Sequence, residues 1–303
     1  MTPAVMHELG SRVRGEVRFD EPLASYSTYR IGGPASALVL PRSVEDVAAT
    51  LRFARETGTR WLVLGLGSNV LIADEGFDGI VLRLGQGLDQ VAVENQTRWK
   101  VGAGLPSPHL ARRSAAAGLG GVHLLVGVPG TVGGGVFMNA GAHGQDYSQV
   151  VRSVDVVEAD GSFRTVPGSA VPWKYRESKL DGKVVVGATI ELHRDDPKAL
   201  KAGVARHLQW RKEGTPFTEP CCGSVFRNPL APGQPRTAGQ LIDAAGLKGF
   251  TIGGAQVSPK HANYIVNMGG AKARDVLAVI EAVREKVLRE FGLELELEVK
   301  VIR

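Results

Sequence analysis

Cysteine is scarce in this chain, with two in 303 residues, and the two are adjacent at Cys221-Cys222. Neighbouring cysteines close no useful loop, so no disulfide framework is expected. Their spacing is also wrong for a zinc pair, which leaves a buried, inert thiol as the reading. No apolar run reaches the roughly 18 residues that would cross a bilayer. The first fifteen residues lack the apolar centre of a signal peptide, so a cytoplasmic protein with no membrane partner is expected. The seven histidines (His7, His109, His123, His143, His193, His207, His261) show no His-x-x-x-His or Cys-paired spacing, and no metal site is expected. No block of five like charges occurs, nor any basic run interleaved with aromatics, so nucleic acid is not an expected partner. The excess of 36 basic over 31 acidic residues, with a pI near 9.3, allows only a mild preference for anionic ligands. Gly-Lys-Ser/Thr is absent, which excludes a Walker phosphate loop. No internal repeat is visible, and no Ser-His-Asp set can be singled out.

Glycine is what the chain has in excess: 39 residues, about 13% against a usual level near 7%. There is no Gly-X-Y period and the 16 prolines are ordinary, so fibrous and Pro-rich readings fail. Ten glycines fall between Gly118 and Gly144. Each would cost about 1 kcal/mol relative to alanine inside a helix, so an ordinary helix interior is not expected there. The run suits turns with positive φ, or backbone laid close to a bulky flat ligand. A smaller cluster, Gly65-Leu66-Gly67-Ser68-Asn69, follows a strand, and its amides could form a nest for phosphate oxygens. It is not a dinucleotide fingerprint, because Val70 takes the sixth position and no helical pattern follows. Read alone, either cluster could equally be a set of tight structural turns.

Ser43 opens a helix in the manner of a capping box, with Asp46 in the place of the usual Glu or Gln. Val44, Val47, Ala48, Leu51 and Ala54 share one face, and Gly58 supplies the stop. Strands at Ala37–Leu40 and Trp61–Leu64 flank it as a β-α-β unit. A second helix follows Pro106 and ends at Gly118. From Val150 to Leu192 the texture is β, with a hairpin turn at Asp160-Gly161 and a further strand over Lys183–Leu192. Helices are expected from Pro197 to Trp210, from Thr237 through Leu241–Ala245, and from Ala273 to Phe291, the last with a stripe of Val276, Ile280, Val283 and Val287. Leu293–Val301 alternates with period two, as a strand with one buried face does. The charged, Pro-terminated segment His193–Pro197 marks a domain boundary. The expectation is an α+β protein in two domains, residues 1–196 and 197–303.

Six stretches occur in the order of one known family. They are Thr28-Tyr-Arg-Ile-Gly-Gly33, Gly65-Leu-Gly-Ser-Asn69, and Gly127-Val-Pro-Gly-Thr-Val-Gly-Gly134 leading into Met138-Asn-Ala-Gly-Ala142. Then come Tyr175-Arg-Glu-Ser178, Gly223-Ser-Val-Phe-Arg-Asn-Pro229 and Ala238-Gly-Gln-Leu-Ile-Asp-Ala-Ala-Gly-Leu247. With these, the chain resembles the UDP-N-acetylenolpyruvoylglucosamine reductases over about residues 20 to 302. The resemblance implies an FAD-binding domain of the vanillyl-alcohol-oxidase/PCMH type, plus a smaller α+β substrate-binding domain. It also implies non-covalent FAD, NADPH as co-substrate, and UDP-N-acetylglucosamine enolpyruvate as the substrate reduced to UDP-N-acetylmuramate. A monomer is expected. The chain between Ser178 and Gly223 is short, as in the compact type lacking an inserted tyrosine-bearing loop.

The same resemblance suggests residue roles. Gly65, Gly67, Ser68, Asn69, Pro129, Gly130, Thr131, Gly133, Gly134, Asn139 and Gly141 would cradle the cofactor. Arg176 would clamp the carboxylate of the enolate-like intermediate, since a guanidinium stays charged and grips with two hydrogen bonds. Ser224 matches the family's proton donor. Glu298 matches its catalytic glutamate when Leu-Glu-Pro-Glu-Val is laid on Leu295–Val299, with Glu296 as the alternative because Leu297 stands for the proline. Asn228, Arg211 and Lys260 would meet the substrate diphosphate, and Gly214 occupies a position where the family often has lysine. Two rivals stay open on sequence: an oxidase or dehydrogenase on the same flavin fold, and a non-catalytic binder of nucleotides or anionic polymers.

Overall fold

In the computed structural model, the Ser43 hydroxyl accepts a hydrogen bond from the Asp46 amide at 3.3 Å and opens the helix Val44–Thr57. Gly58, in the left-handed region at φ 65°, closes it. The other half of the capping box does not form. The Asp46 carboxylate accepts instead from the amides of Arg14, Gly15 and Arg42 at 2.8, 3.1 and 2.9 Å. Three backbone donors meet at the buried Asp46 side chain, which satisfies all three.

The structure describes residues 2–229 and 235–303, apart from the side chain of Pro3. They fold into two units, each assembled from separate stretches. The first comprises Met1–Glu21, Ala35–Leu66 and Asp78–Gln209; the second comprises Pro22–Pro34, Gly67–Phe77 and Trp210–Arg303. The sequence suggests a single cut at 196/197, whereas two short early segments fold with the C-terminal part.

The first unit holds a four-stranded sheet in the order Glu16–Pro22, Pro34–Leu40, Phe77–Arg83, Trp61–Leu64. Trp61–Leu64 runs parallel to Phe77–Arg83, so that strand separates the two expected to flank the helix. A five-stranded antiparallel sheet follows, ordered Phe163–Pro167, Val151–Glu158, Lys183–Glu191, Arg98–Gly102, Val91–Val93. Its valine-rich strands and the helix face of Val47 and Leu51 bury into one core with Ile80 and Leu82. The second unit has its own core, in which the stripe Val276, Ile280, Val283 and Val287 of the helix Ala273–Phe291 is fully covered. The helix Ala238–Ala244 starts at Thr237 with a complete capping box from Gln240. A parallel pair joins Val70–Ile72 to Lys300–Ile302.

Two expectations need correction. The alternating C-terminal run is a regular strand only over Lys300–Ile302. Upstream, Leu295 and Val299 are buried as the alternation requires, but the backbone there pairs with an irregular loop through the single bridge Phe226–Leu297. The glycine run does contain a helix, Val132–Phe137, capped by Thr131. Its glycines are there for closeness rather than for turns. A Cβ on Gly135 would lie 2.3 Å from the Tyr147 ring, and one on Gly133 would lie 2.8 Å from the Ala103 methyl. At six residues, its stability comes from packing and not from propensity.

Tyr147 is fully buried, with its hydroxyl 2.7 Å from Ser107 Oγ. Gly135→Ala should therefore lower unfolding free energy by about 2 kcal/mol or more, measured by denaturant melts, since nothing rigid on either side can yield. Burial also pushes the Tyr147 phenol up to about 12. Its contribution is complete below the unfolded value near 10. It is lost between there and about 12, because the unfolded chain releases the proton first. Stability should fall across that window by up to about 1.4 kcal/mol per pH unit from this group. In Tyr147→Phe that part of the alkaline slope should vanish.

Candidate active site

Within the first unit, Gly65 follows the strand Trp61–Leu64 and approaches the glycine segment so closely that a Cβ would lie 2.6 Å from Thr131 Oγ1. Thr131, itself buried, accepts from the Gly134 amide at 3.4 Å, and Gly130 stands at φ 139°. Backbone contacts anchor this turn from behind: Ser107 N donates to Gly130 O at 2.9 Å, and Gly133 N donates to Ala103 O at 2.8 Å. The outer side of Gly134 is open, where a Cβ would meet only the Thr131 hydroxyl at 3.7 Å. Gly65, Gly130 and Gly134 thus present bare backbone beside one hydroxyl. That fits a flat ring system or a diphosphate, which needs amide donors and no intervening side chains.

Asn139 sits behind that segment at φ 42° and 4% exposure. Its Nδ2 donates to Lys174 O at 3.0 Å and its Oδ1 accepts from Ser148 N at 3.0 Å. Ser178 Oγ donates to Phe137 O at 2.7 Å. The Asn139–Lys174 and Ser178–Phe137 bonds brace the turn Tyr175–Ser178 against the glycine helix. Arg176 rises from that turn at φ 58°, donates from Nη2 to Gly141 O at 2.9 Å, and stacks over the Tyr175 ring at 4.8 Å. The guanidinium is therefore held in place before any ligand arrives.

The second unit carries Gly67, Ser68, Asn69, Arg211, Ser224, Asn228, Lys260 and Glu298. Gly67, at φ 63°, must be glycine, because a Cβ would lie 2.1 Å from Tyr26 O. Asn69 Nδ2 donates to Glu298 O at 3.2 Å, and Asn69 O accepts from Lys300 N at 3.0 Å. Glu298 N donates to Val225 O at 2.8 Å, which fixes the residue after Ser224 beside Glu298. Glu296 differs: its side chain is 78% exposed and lies 4.0 Å from Arg227. Glu294 is likewise exposed and pairs with Arg284. Of the three alternating glutamates, Glu298 is the one whose backbone bonds the residue next to Ser224, whereas Glu296 meets the same loop further on, where its carbonyl accepts from Arg227 N at 2.9 Å.

Near Ser224 lies the phenol of Tyr264, a buried residue that the sequence motifs do not mark. Burial raises the Tyr264 phenol, while the Arg211 cation and the Ser224 hydroxyl pull it the other way. Arg211 lies 6.0 Å over the Tyr264 ring, and the His261 ring meets it edge-on at 4.8 Å. Lys260 Nζ donates to Lys212 O at 2.6 Å, near the end of the helix Pro197–Gly214. Asn228 is exposed, and its Oδ1 accepts from Ala238 N at 3.1 Å. His261, Asn263 and Tyr264 lie in the polar run Ser258–Tyr264, which precedes a strand. That loop-before-strand placement is the one signal that could have marked them.

His143 stacks on His207 with ring centroids 4.0 Å apart. Among the described residues, no group of three or more His, Cys, Asp or Glu could hold a metal ion. No helix among them is long and apolar enough to cross a membrane.

Comparison with known proteins then assigns both parts of the chain. Residues 35–167 match the model of an FAD binding domain, and residues 215–302 match the UDP-N-acetylenolpyruvoylglucosamine reductase C-terminal domain. A reductase of that name from Halalkalibacterium halodurans is 44% identical over 291 residues, 95% of each chain. The chain belongs to the UDP-N-acetylenolpyruvoylglucosamine reductase family. The reductase of Bacillus subtilis is 39% identical over 98% of each chain. The crystal structure of the reductase from Thermus caldophilus aligns with a TM-score of 0.80 at 35% identity, over 96% of this chain and 99% of that one. 6-Hydroxy-D-nicotine oxidase from Arthrobacter nicotinovorans aligns at 0.64 and 14% identity, over 95% of this chain and 89% of that one, and shares the flavin fold alone. The α+β architecture is thus the PCMH-type flavin domain with a reductase C-terminal domain.

The two cysteines, which precede Gly223-Ser224 in the sequence, are free thiols. Burial raises both, and Cys222 is 1% exposed against the Tyr29 phenol. Native protein at pH 8 should therefore leave Cys222 unmodified by iodoacetamide, at a rate at least about 100-fold below a free thiol. Denaturation should make it react at the normal rate, as peptide mass mapping would show.

Proposed function

We propose that the chain reduces the enolpyruvyl ether of UDP-N-acetylglucosamine enolpyruvate to UDP-N-acetylmuramate for peptidoglycan synthesis, with Ser224, Arg176 and Glu298 as its catalytic residues. The observation that supports the assignment is the backbone bond from Glu298 N to Val225 O, which links the residue after Ser224 to Glu298. Bound FAD would supply the hydride chemistry that connects NADPH to the terminal methylene carbon of the substrate. Gly65, Gly67, Ser68, Asn69, Pro129, Gly130, Thr131, Gly133, Gly134 and Gly141 hold that cofactor non-covalently through backbone and hydroxyl groups. Asn139 contributes as the brace behind them.

Hydride addition drives negative charge toward the carboxylate-bearing carbon. Arg176 stabilises it as an enolate, and because Gly141 and Tyr175 already hold the guanidinium, little reorganisation opposes it. Ser224 then delivers its proton to the adjacent carbon. The neighbouring Tyr264 phenol, raised further by burial, is protonated at neutral pH as any phenol is, and can donate a hydrogen bond to the serine oxygen left behind. Glu298, whose backbone bonds the residue after Ser224, serves as the acid–base partner. Asn228, Arg211 and Lys260 take the substrate diphosphate. The enzyme acts as a monomer in the cytoplasm, where its nucleotide-sugar substrate and NADPH are at hand, without nucleic-acid or membrane partners.

The purified protein should be yellow, should bleach on adding NADPH, and should regain colour with the enolpyruvyl sugar. A preparation that takes up no FAD would overturn the assignment. Ser224→Ala and Glu298→Gln should each leave the NADPH half-reaction near normal and slow the substrate half-reaction by about 100-fold or more. Glu296→Gln should slow neither. Stopped-flow absorbance of the flavin separates the two steps, and equal losses in both would remove Ser224 from the role of proton donor.

A further inference from the structure

Ser224 lies in a loop with no sheet to hold it. Gly223 precedes it in the left-handed region at φ 82°. The chain on its C-terminal side is held tightly. Five consecutive backbone polar groups, from Val225 N to Arg227 N, all find partners. Val225 O accepts from Glu298 N at 2.8 Å, and Arg227 N donates to Glu296 O at 2.9 Å, both on the C-terminal run. The other three are taken by one residue. Val225 N donates to Asn263 O at 2.9 Å, Phe226 N donates to Asn263 Oδ1 at 2.9 Å, and Phe226 O accepts from Asn263 Nδ2 at 2.8 Å. Asn263 is 4% exposed, and Val225 and Phe226 are each 1% exposed.

We infer that Asn263 is the positioning residue for the proton donor: its amide takes the place of a missing strand and holds the peptide after Ser224 in register with Glu298. This rests on Ser224 being the proton donor. The residue type is dictated by the geometry. A primary amide offers a coplanar donor and acceptor, which is what the N–H and C=O of Phe226 require together. Aspartate of the same size keeps the acceptor, but sets a second acceptor oxygen against Phe226 O. Alanine removes both bonds. Asn263 itself is oriented from behind, where its own N–H donates to His261 Nδ1 at 3.2 Å, and burial holds that imidazole toward its neutral, accepting form. The same His261 ring lies against Tyr264, the phenol near Ser224. Asn263 touches neither substrate nor flavin in this role; it acts through the serine.

The test uses the FAD-loaded enzyme carrying Asn263→Asp, Asn263→Ala or, as reference, Ser224→Ala. Flavin content and the NADPH half-reaction should stay within about twofold of wild type in all three. The substrate half-reaction should slow by about tenfold in Asn263→Asp and about 100-fold in Asn263→Ala, the scale of a donor displaced by about an ångström. Substrate affinity, read from the perturbed flavin spectrum, should change less than threefold. Independently of turnover, the amide of Phe226 should exchange with D2O at least about tenfold faster in Asn263→Ala than in wild type. A substrate half-reaction within twofold of wild type in both Asn263 variants, with Ser224→Ala still slow, would overturn the positioning role and leave the serine's role standing. Ser224→Ala reacting at the wild-type rate would instead overturn the reading on which the inference rests. Loss of both half-reactions together in Asn263→Asp would make the residue a scaffold element and overturn the inference as well.

Discussion

Buried backbone in an irregular loop is the constraint on which the second unit's chemistry depends. A strand in a sheet receives its hydrogen-bond partners from a ladder, but residues 225–227 have a neighbour on one side only. The missing partners come from the amide and carbonyl of Asn263, and without them three polar groups would be stranded at about 1% exposure. Satisfying those groups also fixes the loop's direction. The backbone after Ser224 is thereby held in one direction, bonded to Glu298 and near the buried Tyr264 phenol. Stability and function share the same bonds here.

In the first unit the governing constraint is steric. The glycines of the flavin segment let rigid groups approach closer than any side chain would permit, with Thr131 against Gly65 and Tyr147 against Gly135. The short helix Val132–Phe137 survives its poor composition because its faces are packed and its end is capped by Thr131. Its bare side is then left for a ligand. Behind it, Asn139 and Ser178 link the segment to the turn bearing Arg176, so the glycine cradle and the guanidinium belong to one rigid assembly.

Much of this is legible from residue order. The helices behind Ser43 and Thr237, the amphipathic helix Ala273–Phe291 and the hairpin at Asp160-Gly161 arise from caps, periodicity and turn chemistry, which are local properties. Ser224, Arg176 and the glycine segments stand out because their motifs are contiguous. Asp46 reads in sequence as a reciprocal cap, but the Arg14, Gly15 and Arg42 amides that claim it are brought in by the fold. The C-terminal alternation correctly marks which side chains are buried, but it cannot reveal that its partner is a loop.

The sequence by itself therefore determined the fold class, the family and the flavin cofactor, because each is encoded in short runs with characteristic spacing. Only the tertiary structure decided that residues 22–34 and 67–77 fold with the C-terminal unit, that Glu298 bonds the residue after Ser224 while Glu296 bonds Arg227, and that Asn263 takes up the backbone of Val225 and Phe226. Those facts depend on partners some 40 to 230 residues apart along the chain. Such partners are chosen by which buried donor needs which acceptor, a requirement that exists only once the chain has packed.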